Sequence, residues 1–331
     1  MLVDLIRVRQ TQAEYWGYDR YDQFANDYYY YRDYTPEQAV AYLEGIGREL
    51  KSLYQKTYEE NLWDMAYGAS PERETMAYLR TVTENMGGKA AEAFDLLEQA
   101  GLYDISYGEN KYNSSFSVYL YSYQEPFIFM NPTLSQYDKL TLAHEFGHFC
   151  CDYVSYGSYA GVDVLEIFSQ GMEYLSLCYG EDTEDLTQVK MADSLSIYVE
   201  QAAFASFEQR MYGLEGEGLS VEGLCSLYED IAEEFGFDAP GYDRREFVDI
   251  THFYTNPMYI LSYVVSNDAA MQLYALELET PGAGRELWEA HLATEEVYFL
   301  EFLESAGLES PFEEGRIEKV KALFQKTLFG E

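Results

Sequence analysis

The chain is 331 residues long and carries 59 acidic against 21 basic side chains, a formal net charge of −38. That field argues against nucleic acid and anionic membrane surfaces as partners, and favours cationic peptides wherever carboxylates line a cleft. Apolar residues make up 47%, without a run near the roughly 18 residues that a membrane span needs, so a large buried core is expected. The N-terminus is broken early by Asp4 and Arg7 and lacks an apolar signal core. Cys150, Cys151, Cys178 and Cys225 show no CxxC spacing. Free, mostly buried thiols in a reducing cytoplasm are therefore expected.

In chain order, residues 1–33 are dense in Tyr, Asp and Arg, including Tyr28 to Tyr31, and aromatic side chains this frequent are expected to pack. Thr35-Pro36-Glu37-Gln38 combines a capping box with proline at the first helical position, predicting a long helix to about residue 61. Ser70-Pro71 opens another that ends near Gly87-Gly88, and a third covers 89–100 before Gly101. Alternation over 115–123 and a second β-prone run at 126–130 predict a small sheet near residues 105–130. Asn131-Pro132 reads as the start of a helix on which Leu140, Ala143, Gly147 and Cys150 recur at helical spacing. Further helices are expected at 188–212, 220–235, 267–280, 286–306 and 313–329. The expected architecture is mainly α, with a helical segment at 1–101 packing on a core at 102–331.

Chemistry concentrates in His144-Glu145-Phe146-Gly147-His148, an HExxH pattern. On a helix both imidazoles point to one face, so they can share a metal ion while Glu145 beside them serves as general base toward a water. A third ligand is available in Glu166, though Asp163-x-x-Glu166 also reads as a capping pair opening a second helix.

HEFGH followed by Asp163-Val-Leu-Glu166-Ile-Phe-Ser169-Gln-Gly-Met-Glu173 resembles the zinc signature of the thimet oligopeptidase and oligoendopeptidase F family. The stretches Arg7 to Tyr21, Arg32-Asp-Tyr-Thr-Pro and Leu308-Glu-Ser-Pro-Phe-Glu-Glu-Gly are similar to segments of oligoendopeptidase F. The resemblance covers only the C-terminal catalytic portion of that family. It implies a zincin-type domain with one zinc per chain on His144, His148 and Glu166, and with Glu145 activating water. Phe168 stands where the thimet branch has proline, and Lys111-Tyr-Asn-Ser-Ser replaces a Gly-rich segment.

The remaining histidines are His252 and His291. Tyr259 and Tyr263, at i and i+4, can present both hydroxyls on one helical face, although 34 tyrosines make such a pair ordinary. The segment from His252 to Tyr263 is similar to the family's His-Phe-Tyr…Pro-Phe-Tyr stretch. That resemblance implies that His252 and Tyr263 bind substrate and stabilise the transition state, with Tyr254 or Tyr259 assisting. Asp163 or Glu173 is expected to orient a ligating imidazole. His291 is expected to be surface or core.

The expected activity is hydrolysis of short peptides. The rivals are a non-catalytic peptide-binding module that retains the zinc site, and one subunit of a two-chain peptidase. Because the resemblance lacks the family's N-terminal helical part, an open cleft covered by homodimerisation or by a partner chain is also expected.

Overall fold

Three helices make the centre of the molecule: α6 (Asp138–Ser155), α7 (Val162–Tyr179) and α12 (Ile260–Glu279). The computed structural model describes residues 1–60, 62, 68–237 and 243–330. Helix α7 packs on α12 and α6, and its residues from Val164 to Leu177 are buried on all sides except at Leu165. A helix buried all round must satisfy its polar side chains internally, a condition that governs the site below. Gly147 sets the approach of α6 to α7, since a Cβ there would lie 2.6 Å from the Phe168 carbonyl oxygen and the Ser169 Cα. No larger residue fits that contact.

Around this centre run α1 (Leu2–Tyr15), α2 (Tyr21–Tyr28), α3 (Pro36–Glu59), α4 (Glu72–Met86) and α5 (Gly88–Ala100). The capping box of α3 forms as predicted: Thr35 accepts from the Gln38 amide and the Gln38 side chain accepts from the Thr35 amide. The helix ends at Glu59, and the predicted end near residue 61 lies outside the described residues. The aromatic N-terminus packs in part. Phe24 is buried and stacks against Trp16 and Tyr28, whereas Tyr15, Trp16, Tyr28, Tyr29 and Tyr31 stay exposed.

The sheet has strand order β1-β3-β2, with β1 (Tyr103–Asp104) parallel and β2 (Ser115–Leu120) antiparallel to β3 (Glu125–Met130). Ile128 and Met130 point into the core. Strand β2, with one edge unpaired, runs beside α6.

Several predicted boundaries move, each for a physical reason. Helix α6 begins at Asp138 rather than after Asn131-Pro132. Asn131 instead exchanges hydrogen bonds with the Gly108 backbone, and Asp138 accepts from the Thr133 and Ser135 amides. The single helix expected at 188–212 is α8 (Glu184–Ser196), a π-helical turn at Ile197–Gln201 and α9 (Ala202–Met211). Helix α10 (Val221–Phe235) follows, with Ser220 as its cap accepting from the Gly223 amide, then the one-turn α11 (His252–Thr255). Helix α12 starts at Ile260, seven residues before the prediction, since its uniform burial hides the amphipathic period. The helix expected at 286–306 is divided into α13 (Ala283–His291) and α14 (Phe299–Ala306). Between them the chain leaves the helix to meet the start of α7, where the Gly161 amide donates to the Glu296 carbonyl at 3.1 Å. The last helix is α15 (Arg316–Phe324), closed by a π turn at Gln325–Phe329. Among the described residues no helix is long and apolar enough to cross a membrane, and all four cysteines are free thiols.

One buried group in α9 carries a pH consequence. Glu208 is 1% exposed, and neither carboxylate oxygen has a hydrogen-bond partner. Burial pushes it up to about 8, against the charges of Arg9 and Arg32. A carboxyl raised in the folded state contributes stability that is complete below its ordinary value of 4.5 and is lost as pH rises to about 8. Glu208→Gln, uncharged at every pH, is therefore expected to be more stable than wild type at pH 8 by about 2–4 kcal/mol and nearly equal at pH 5, by urea unfolding. Parallel pH profiles for the two proteins would rule this out.

Candidate active site

One turn of α6 places His144 and His148 side by side, their ring centroids 5.1 Å apart. Across the Gly147 contact, α7 brings Glu166. Its Oε2 lies 3.5 Å from His144 Nε2 and 3.7 Å from His148 Nε2. Ligand atoms of these three residues all lie within 4.8 Å of one another. Two imidazole nitrogens and one carboxylate oxygen, converging on a single point, fit a three-ligand zinc site with a fourth position open.

The groups behind these three residues hold them in this arrangement. His144 Nδ1 lies 2.8 Å from Glu173 Oε1, which leaves Nε2 to face the centre. Glu173 is in turn 2.7 Å from Lys190 Nζ, a fully buried ammonium that also meets Asp193 at 3.3 Å, while Tyr137 donates to Asp193 at 2.8 Å. Burial alone would raise Glu173, but the Lys190 charge and the His144 bond outweigh it and lower it. Ser169 donates to Glu166 Oε2 at 2.9 Å and Tyr259 donates to Glu166 Oε1 at 2.6 Å.

Of the two residues expected to orient an imidazole, Glu173 takes that place and Asp163 does not. Asp163 instead faces Arg32 at 3.2 Å and accepts from Tyr34 at 2.7 Å and from Ser262. Nor is Asp163 a cap, because α7 has no side-chain cap at Gly161.

Electrostatics separate the three titratable groups of the motif. Burial lowers both histidines' affinity for protons. At His144 the Glu173 bond and the Glu166 charge reverse this, to about 9. At His148 burial prevails, down to about 4. Glu145, 7% exposed, is pushed up to about 7 by burial, with His144 and the Ser117 amide of β2 pulling back.

The second cluster adjoins this centre. Tyr263 Oη lies 3.4 Å from His252 Nε2, and His252, Tyr263, His144, Gln170 and the π-turn residues Ile197 and Gln201 line one cavity of about 400 Å³. Burial lowers His252, favouring the neutral imidazole. Tyr259 is committed to Glu166. Tyr254 lines a different groove, against Leu2 and Phe247, so it is not in the cluster. His291 is tied to the Leu287 carbonyl and the Phe302 ring, away from the site.

Sequence reasoning missed Lys190, Asp193, Tyr137 and Ser169. The one available signal was a lysine inside the otherwise apolar run Val189-Lys190-Met191-Ala192.

Residues 94–315 match the model of peptidase family M3. Comparison with curated proteins returns no match. Among solved structures, the chain is similar to a protein named oligoendopeptidase F, with a TM-score of 0.87 and 21% identity over 98% of this chain and 64% of that one. PZ peptidase A with an inhibitor gives 0.87 and 19%, over 99% and 65%. Oligoendopeptidase-F from Enterococcus faecium gives 0.59 and 18%, over 99% and 56%. These likenesses establish a shared fold, and the chain spans less than two thirds of each of those proteins. The matched family model includes α6, α7 and the His252–Tyr263 segment, and on that match the chain belongs to peptidase family M3.

Proposed function

We propose that the protein is a zinc-dependent endopeptidase that hydrolyses short peptides. The observation that carries this reading is the convergence of His144, His148 and Glu166 beside the buried carboxyl of Glu145. Zinc held there would supply Lewis-acid polarisation of water and of the scissile carbonyl. Glu145, with an affinity near neutrality, takes the proton of the attacking water and delivers it to the leaving amine. Tyr263, whose hydroxyl lies 3.4 Å from His252 Nε2, is placed to offer its proton to the oxygen on which negative charge builds. Tyr259 acts one step back, holding Glu166 in place. Strand β2 offers its open edge to the substrate backbone beside Glu145, which suits recognition by strand addition.

The test is direct. Purified protein is expected to bind about one zinc per chain and to hydrolyse quenched short peptides, with chelation abolishing turnover. Protein that takes up no zinc, or that hydrolyses peptides equally well after chelation, would sink the reading.

Tyr263→Phe tests the oxyanion assignment. Because such a donor acts mainly after attack begins, kcat is expected to fall about 10²–10³-fold with KM little changed. Near-normal kcat would return Tyr263 to ordinary packing.

A further inference from the structure

We propose that Arg9 is a positioning residue for the reaction: its guanidinium fork grips the backbone of the His252–Tyr259 segment and so sets where His252 and Tyr263 stand. This rests on the proposed function.

The segment is poor in bonds of its own. Helix α11 is a single turn, and one-turn helices leave most carbonyls without an internal partner. None of the loop and cap backbone bonds uses the Phe253, Tyr254, Pro257 or Met258 carbonyl. All four are taken instead by side chains from the far end of the chain. Arg9 Nη1 donates to the Phe253 carbonyl at 2.7 Å and Nη2 to the Tyr254 carbonyl at 2.9 Å. Tyr30 donates to the Pro257 carbonyl at 2.7 Å, and Arg32 Nη2 to the Met258 carbonyl at 2.9 Å. Met258 itself has φ of 67°, a left-handed conformation that a side chain of its size adopts only when its surroundings impose it.

Arg9 is suited to the task because its own place is fixed. It is 7% exposed, donates to the Tyr212 hydroxyl at 3.0 Å and lies 5.7 Å over the Tyr21 ring. The planar fork meets the two successive carbonyls with two nitrogens held in fixed geometry, while Nη1 also keeps the Tyr212 bond, an arrangement that the single nitrogen of a lysine does not reproduce. Arg32 shares the grip but also carries the buried Asp163, so Arg9 gives the cleaner test.

The experiment compares wild type, Arg9→Lys and Arg7→Lys in the full chain. Arg7 is on the same helix but solvent-exposed and bonds elsewhere. For Arg9→Lys, zinc content is expected to be unchanged, and hydrogen exchange of the amides at 251–259 to quicken about tenfold or more. On a short quenched peptide its kcat is expected to fall about tenfold or more, with KM within about twofold. Arg7→Lys is expected to match wild type in every measure. Tyr30→Phe, which removes only the Pro257 bond, is expected to shift exchange and kcat in the same direction by less, and it stands in if Arg9→Lys does not fold. Unchanged exchange at 251–259 would overturn the proposal, as would faster exchange with unchanged kcat. A wild type that hydrolyses no peptide overturns the proposed function instead, and exchange then decides the Arg9 grip by itself.

Discussion

Glu145→Gln is expected to retain its zinc while peptide hydrolysis falls by about 10²–10⁴-fold, the usual loss when a general base is removed. The amide has the shape of the carboxyl, and Glu145 is not among the three converging ligands, so the metal centre should survive. What the amide lacks is a site for the water proton. Glu166→Ala is the informative contrast. It removes a ligand and leaves the Ser169 and Tyr259 hydroxyls without their shared acceptor, so zinc itself should be lost. Metal analysis beside steady-state kinetics separates the two. Glu145→Gln activity within tenfold of wild type would move the base elsewhere.

Arg32→Met should cost about 3–5 kcal/mol of stability, the penalty for leaving a buried carboxylate without its charge partner. Both side chains of the pair are almost wholly inaccessible, at 0% and 3%. Arg32 also donates to the Asn26 side chain at 2.7 Å and to the Ser262 hydroxyl at 3.1 Å, and its guanidinium lies 4.4 Å over the Tyr30 ring. The double variant Arg32→Met with Asp163→Asn should recover much of the loss, since no charge is then stranded. Urea unfolding measures both. A single-variant loss below about 1 kcal/mol would mean that Tyr34 and Ser262 alone suffice for Asp163.

The convergence of His144, His148 and Glu166 was legible because HExxH encodes its geometry in helical spacing, and because Glu166 follows at a distance that two adjacent helices bridge. The α3 cap and the β2–β3 ladder were legible for a similar reason: their signals are local. The start of α6 was misread because Asn131-Pro132 has the composition of a cap while its side chain serves Gly108. The π turn within the 188–212 stretch has no local signature. Least legible were Lys190 and Arg32. Each is a buried cation whose main charge partner, Glu173 for Lys190 and Asp163 for Arg32, lies on α7, and only tertiary structure tells it from a surface charge.

The reach of Arg9 has a consequence for the order in which the molecule is made. Its Tyr254 partner is 245 residues downstream. At translation rates of about 5–20 residues per second, Arg9 waits roughly 10–50 s on the ribosome before that carbonyl exists. Until then the N-terminal helices carry arginines meant for the interior, and no segment of the nascent chain can complete their bonds. The cleft beside His252 and Tyr263 is thus among the last parts of the protein to set, and chains released early should fold, if at all, with that cleft incomplete.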